Sequence, residues 1–164
     1  MRVCSRCFQA ALLSLCLALP LPAPASAETI LPPSINKQII LDIEYPGQNA
    51  FRLPVNNGIT YGDTPLRGQV SEDWHFINEG DIFTDASLNN SASGIFLSGK
   101  NVSASRVENS GSIISLGTTG SAASGVRFSK GGTVINLAGG YIEGFDGVHA
   151  DGGALTVENH GSIS

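Results

Sequence analysis

The chain has 164 residues, the length of one domain with a short flanking region. Its formal net charge is −5 and only 14% of its residues are charged, which excludes the basic surface that nucleic-acid binding requires. A hydrophobic fraction of 41% is too high for a chain that is disordered throughout.

Residues 1–27 have the pattern of a secretory signal peptide. Two arginines precede a short apolar segment, residues 8–19, and the sequence Ala-Ser-Ala at 25–27 provides the small residues of a cleavage site. Because the apolar segment is too short for a transmembrane helix, we expect cleavage before Glu28 and no membrane span in the mature chain. The destination is then the periplasm, the cell surface or the extracellular space.

All three cysteines, Cys4, Cys7 and Cys16, lie in this segment. The mature chain therefore enters an oxidising compartment without a residue that could form a disulfide bond or a thiolate zinc site.

Residues 28–70 contain all the prolines of the mature chain, together with short apolar runs and turn-forming pairs such as Asn57-Gly58. This pattern predicts an irregular β region that forms an N-terminal cap.

Internal repeats dominate residues 71–164. One repeated element is an apolar residue followed by Asn, Gly and Ile, as in Ile77–Ile82, Val107–Ile113 and Val157–Ile163, with a looser copy at Val134–Ile142. The second element is a glycine followed by an alternating apolar strand, and its copies begin at Ser93, Ser124 and Asp146.

The two elements alternate along the chain. The residues that mark them are, in order, Asn78, Gly94, Asn109, Gly125, Asn136, Gly147 and Asn159. A full unit spans about 31 residues at first and about 23 later, within the range of solenoid repeats. The difference indicates loops inserted at 84–92 and 99–105.

Each short strand has one apolar and one polar face, so it must stack on a neighbouring unit to bury its apolar side. We therefore predict an all-β fold, a parallel right-handed β-helix, or solenoid, of about four coils with an irregular N-terminal cap. The residues expected to face the core are Val107, Val126, Val134, Leu155 and Val157, and those expected to face solvent are Arg106, Arg127, Thr156 and Glu158. Glycine and asparagine at the corners are expected to have positive φ, and stacked asparagine side chains to form hydrogen bonds along the column.

Three aromatic residues, Trp74, Phe76 and Phe83, lie near the start of the repeats. We expect them to close the end of the core under the cap, and a ligand platform is the alternative.

The signal peptide, the cysteine-free mature chain and the alternating V-x-N-x-G-x-I and S-G-[IV] units resemble the passenger region of Gram-negative autotransporters. Val107–Ile113 and Val157–Ile163 carry this resemblance, which covers residues 71–164. It implies a secreted or surface-exposed structural or adhesive stalk at the bacterial outer membrane, with a host-surface or matrix ligand as its partner. The repeats are also similar to those of two-partner secreted haemagglutinin-like exoproteins.

The sequence departs from this family because the repeats continue to Ser164 and no translocator barrel follows them. This indicates the N-terminal piece of a longer protein or the product of a shortened gene. A truncated non-functional remnant and a β-helix carbohydrate-active enzyme are the alternative interpretations.

The sequence contains no catalytic motif, so we assign no catalytic, cofactor-binding or metal-binding residue and expect no cofactor. The strongest group of candidates is Arg127, Asp146, His149 and Asp151, which could hold Ca²⁺ and act on an acidic polysaccharide. We favour the simpler interpretation that both Asp-Gly pairs form turns and that His149 faces solvent.

A Ser-His-Asp hydrolase is less well supported, because the chain has no G-x-S-x-G elbow. His160 occupies a repeat position that tolerates other residues and is expected to be exposed.

Overall fold

The computed structural model describes residues 27–69, 71–120 and 122–164. The predicted signal peptide lies outside this part of the chain except for its last residue, so its cleavage stays a prediction. No helix in the described ranges is both long enough and apolar enough to span a bilayer.

The described chain consists almost entirely of β-strands in three parallel sheets. The first sheet contains β1 (Thr29–Ile30), β4 (Ala50–Leu53), β7 (His75–Asn78), β10 (Arg106–Asn109), β13 (Gly132–Asn136) and β16 (Leu155–Asn159). The second contains β2 (Ser34–Ile35), β5 (Gly58–Thr60), β8 (Asp81–Thr84), β11 (Ser112–Ser115), β14 (Tyr141–Glu143) and β17 (Ser162–Ile163). The third contains β3 (Ile39–Ile40), β6 (Leu66–Gly68), β9 (Ile95–Leu97), β12 (Ser124–Phe128) and β15 (Asp146–Ala150). One short helix, α1 (Leu41–Glu44), follows β3.

Consecutive strands belong to different sheets, and each strand pairs in parallel with the strand that lies three further along the chain. The backbone therefore contributes one strand to each sheet per turn, and successive turns stack on one another. This confirms the predicted all-β fold, a parallel β-solenoid of about four turns in the repeat region.

The N-terminal region 28–70, predicted as an irregular cap, continues the same three sheets. Its strands β1 to β6 are two to four residues long, and β4 pairs with β7 so that Phe51 lies beside Phe76. The connection between β2 and β3 contains Asn36 with a φ of 57°, and that between β4 and β5 contains Asn56 with a φ of 68°. The solenoid thus extends further towards the N-terminus than the repeats predict, because prolines and very short strands hide the pattern there.

The inward side chains of the three sheets form one continuous core. Val107, Val126 and Val134 are fully buried, as predicted. Leu155 and Val157 lie in the same inward rows, but they remain 36% and 44% exposed. This exposure arises because β16 is the last described strand of its sheet.

Two of the three aromatic residues lie in the core where region 28–70 meets the repeats. Trp74 and Phe76 are 1% and 0% exposed, and Trp74 Nε1 donates to the carbonyl oxygen of Gln69 at 2.8 Å. Phe83 instead lies half-buried on the outer face of β8. Trp74 and Phe76 therefore join two parts of one continuous core and do not close its end. The prediction that these three residues close the end of the core is wrong for all of them.

A ladder of four asparagine side chains runs through the repeat region between the first and second sheets. Nδ2 of Asn78 donates to Oδ1 of Asn109, Asn109 donates in the same way to Asn136, and Asn136 to Asn159, each at 2.8 Å. The first three side chains are 0% exposed. The same three amides also donate to the carbonyl oxygens of nearby glycines at 3.0–3.2 Å. This confirms the predicted stacking of asparagines.

The ladder has a direction, because each Oδ1 accepts from the preceding turn. Asn78 begins the ladder, and its Oδ1 is buried without a hydrogen-bond donor among the described residues. The reason is the register of β4 and β7, which places Leu53 beside Asn78. A buried acceptor without a donor costs about 1–3 kcal/mol, so the ladder is least stable at this first step.

The repeat glycines are required because there is no room for a side chain. A Cβ on Gly111 would overlap the carbonyl oxygen of Gly80, and a Cβ on Gly125 would lie 2.5 Å from Cγ2 of Ile142. Neither glycine has a positive φ, nor does any asparagine of the ladder. The predicted reason, a positive φ at the repeat corners, is therefore wrong at these positions.

We expect Asn109→Ala to lower the free energy of unfolding by about 2–4 kcal/mol, because it removes two hydrogen bonds of the ladder and opens a cavity. Asn159→Ala is the matched control. This side chain is exposed, so water can replace its contacts, and we expect a cost below about 1 kcal/mol. Urea unfolding followed by circular dichroism measures both values. Equal losses would contradict a ladder that stabilises the fold through its buried members.

Candidate functional site

The outer face of the third sheet carries a continuous row of large polar and aromatic side chains. Arg67 on β6, Phe96 on β9, Arg127 on β12 and His149 on β15 occupy paired positions in adjacent strands. Strand alternation places them outward, because the residues on either side of each contribute to the core face. We call these four residues the outer stripe.

The structure brings together all four residues that the sequence singled out as a candidate group. Arg127 donates from Nε and Nη2 to the two carboxylate oxygens of Asp151, each at 3.0 Å. The two ring nitrogens of His149 lie 3.2 Å from Asp146 and 3.4 Å from Asp151. Asp146 belongs to strand β15, so the prediction that it forms a turn is wrong.

These contacts limit what the group can do chemically. Arg127 is held by Asp151 in a bidentate ion pair, and both side chains are partly buried. Within the described ranges, no three side chains of the metal-binding types are placed to hold an ion together. The geometry therefore fits a fixed structural ion pair better than the calcium-dependent site considered from the sequence.

Phe96 is enclosed between two arginines of the neighbouring turns. The guanidinium carbons of Arg67 and Arg127 each lie 5.2 Å from the centroid of its ring. Such cation–π contacts orient a guanidinium group against an aromatic face. Sequence analysis missed this arrangement, because it depends on the pairing of β6 with β9 and β6 lies in the region predicted to be an irregular cap.

Arg67 differs from the other arginines in the described part of the chain. Arg52 pairs with Glu28 and Glu79, Arg106 with Glu108, and Arg127 with Asp151. No described carboxylate forms an ion pair with Arg67, and its side chain is exposed. Its hydrogen-bond donors are therefore available to a ligand.

A row of small polar residues runs beside the outer stripe. Ser98 and Ser129 follow Phe96 and Arg127 by two residues and so face the same side. Their hydroxyl oxygens lie 2.8 Å apart and are half-buried. Hydroxyl and guanidinium groups therefore lie side by side on one face of the solenoid.

A second charged group lies on the outer face of the first sheet. Arg106 Nε donates to Oε1 of Glu108 at 2.8 Å, and His75 Nε2 lies 2.9 Å from the same oxygen. Burial alone would raise the pKa of the Glu108 carboxyl, but the hydrogen bonds from Arg106 and His75 outweigh this and hold the pKa below its usual range.

The two remaining histidines, His75 and His160, each contact a carboxylate. His160 is exposed, as predicted, and its Nε2 lies 2.8 Å from Oε1 of Glu158. His75 is engaged with Glu108 on another strand. The described residues enclose no pocket, so the accessible chemistry of this part of the chain lies on open sheet faces and loops.

Comparison of the chain with protein-family models, with curated proteins and with solved structures finds no match. Its function has therefore to be inferred from the solenoid and the outer stripe.

The contacts of Glu108 predict a dependence of stability on pH. The pKa of the Glu108 carboxyl is lower in the folded state than its unfolded value of about 4.5. Its contribution to the free energy of unfolding is therefore fully present above pH 4.5 and is lost as the pH falls through the folded-state pKa. We expect Glu108→Gln to cost about 1 kcal/mol at pH 7, and this difference from the wild type to shrink as the pH is lowered from about 4.5 through the folded-state pKa. Glu158→Gln controls for the loss of one carboxyl group. A constant difference between wild type and Glu108→Gln across this range, measured by urea unfolding, would refute the assignment.

Proposed function

We propose that the protein is a secreted or surface-exposed structural stalk with an adhesive surface, of the autotransporter-passenger type. The observation that carries this proposal is the unbroken parallel pairing of all three sheets from turn to turn. The signal-peptide pattern before Glu28 and the resemblance of residues 71–164 supply the expected cellular location.

The pairing of the sheets supports a rigid rod. In the first sheet Val107 pairs with Val134, and Val134 pairs with Val157, without a change of register. A solenoid whose turns are hydrogen-bonded through three sheets resists bending, and its outer side chains recur at about 4.8 Å per turn. A stalk requires this stiffness, and an adhesive surface can use the repeated rows.

Loops at two corners of the solenoid provide further contact surfaces. The segment 84–92, which begins at the last residue of β8, and the segment 116–123 connect the second and third sheets, and 99–105 connects the third and first. Described residues of the first two segments are hydrogen-bonded to each other, since the amide of Thr118 donates to the carbonyl oxygen of Asn90 at 3.0 Å. The exposed apolar side chains include Leu88 and Val102, each 68% exposed, and Leu116, 47% exposed. Ordered loops with exposed apolar side chains favour contact with a partner surface.

The alternative of a carbohydrate-active enzyme has less support. Such an enzyme needs a carboxylate that is free to act on the substrate as acid or base, whereas Asp151 binds Arg127 and Asp146 lies 3.2 Å from His149. The outer face of the third sheet therefore favours binding over catalysis.

Expression of the full chain in a Gram-negative host tests both parts of the proposal. We expect a periplasmic form that begins at Glu28, and a retained precursor for the Ala27→Phe variant, because signal peptidase requires a small residue at this position. Beads coated with the purified wild-type protein should adhere to a surface of basement-membrane extract more than albumin-coated beads do. An uncut cytoplasmic chain, or adhesion equal to that of albumin, would contradict the proposed function.

A further inference from the structure

We propose that Arg67 binds the carboxylate or sulfate group of an anionic oligosaccharide that lies along the outer stripe. This names the ligand chemistry of the proposed adhesive surface and so rests on the proposed function.

The first argument is the free and oriented guanidinium group of Arg67. Its side chain is exposed and forms no ion pair with a described carboxylate, unlike Arg106 and Arg127. Its guanidinium carbon lies 5.2 Å from the centroid of the Phe96 ring. Contact with the ring restricts the guanidinium and leaves its N–H groups free to donate two parallel hydrogen bonds to one oxyanion. A group restricted in advance loses less entropy when it binds.

The second argument is the polar row beside the stripe, which fits the neutral part of a sugar chain. Ser98 and Ser129 present paired hydroxyls, and Gln69, two residues after Arg67, is exposed. Hydroxyl and amide groups can each donate and accept, so they match the mixed donors and acceptors of sugar hydroxyls. The stripe therefore offers one strong site for an anion and a line of weaker polar contacts.

The third argument is the distribution of negative charge, which favours a ligand with widely spaced anions. Asp146 and Asp151 lie beside the stripe near its His149 end, and Asp42 lies near its Arg67 end, where its Oδ1 accepts from the backbone amide of Gln69 at 3.3 Å. The whole chain has a net charge of −5. A dense polyanion such as a nucleic acid would be repelled there. A glycan with one anion in every second sugar places its charges roughly 10 Å apart, about two strand spacings. With one anion on Arg67, the next lies near the Arg127–Asp151 ion pair, so a single anion rather than a dense row of them faces these carboxylates.

Isothermal titration calorimetry on protein purified after expression of the full chain tests the proposal with four probes. A hyaluronan hexasaccharide carries a carboxylate in every second sugar and no sulfate, and a κ-carrageenan hexasaccharide carries sulfate and no carboxylate. A neutral agarose hexasaccharide and hexaglutamate are the controls for the sugar chain and for the charge. Binding of the hyaluronan hexasaccharide would identify a carboxylate as the group that Arg67 binds, and binding of the κ-carrageenan hexasaccharide would identify a sulfate.

We expect at least one anionic hexasaccharide to bind and the neutral one not to bind. Arg67→Gln should weaken binding about tenfold, as the loss of a charge-assisted hydrogen bond does. Arg67→Lys keeps the charge but not the paired donors, so it should also weaken binding several-fold. Arg106→Gln removes a paired arginine from another sheet and should leave binding unchanged. Circular dichroism and thermal unfolding of each variant show whether it is folded.

Three results would overturn the proposal: no binding of either anionic hexasaccharide, equal binding by wild type and folded Arg67→Gln, or equal binding of the neutral hexasaccharide. Binding of hexaglutamate that depends on Arg67 and exceeds that of the sugars would also overturn it, since the ligand would then be an acidic peptide. These results concern the site alone, whereas failure of export in the Gram-negative host contradicts the proposed function and leaves the binding measurement intact.

Discussion

The buried amide ladder between the first and second sheets is the interaction on which the rest of the structure depends. A primary amide inside an apolar core is stable only when its donors and acceptor are paired. In Asn109 and Asn136 this requires that the next turn places another amide at the same position. A slip of one residue between turns would leave these amides unpaired and turn the apolar side chains outward. The ladder therefore sets the register of the solenoid, and the apolar core supplies most of the burial.

The same register aligns the outward side chains of successive turns. Since every turn stacks on the last in the same alignment, outward residues that are far apart in sequence become neighbours. Arg67, Phe96 and Arg127 come together in this way on the third sheet. On the first sheet Arg52 joins Glu28 to Glu79 across three turns. A protein that encloses no pocket in its described part can thus build a binding surface from rows of side chains, which is the basis of the adhesive function proposed above.

The repeats made the fold and part of the candidate site predictable from the sequence. The features that could not be predicted were missed for physical reasons. Val107, Val126 and Val134 lie in short segments with period-two alternation, so their inward direction could be predicted from the sequence, and the recurrence of the asparagine markers predicted that their side chains stack. The strands of region 28–70 are too short to show alternation, and Leu53 replaces the asparagine marker there. The contact of Arg67 with Phe96 was therefore missed. Arg127 and Asp151 could be grouped because adjacent units align them, but their bidentate pairing depends on side-chain geometry that spacing does not contain.

Hydrogen exchange of the asparagine side-chain amides, measured by NMR, tests the central role of the ladder most directly. The Nδ2 protons of Asn109 and Asn136 are buried and hydrogen-bonded, whereas Asn56 and Asn90 lie on exposed loops. If the ladder holds the turns in register, the two buried amides exchange only when the solenoid opens, and so more slowly than the loop amides by orders of magnitude. Exchange of Asn109 and Asn136 at the rate of the loop asparagines would contradict the account.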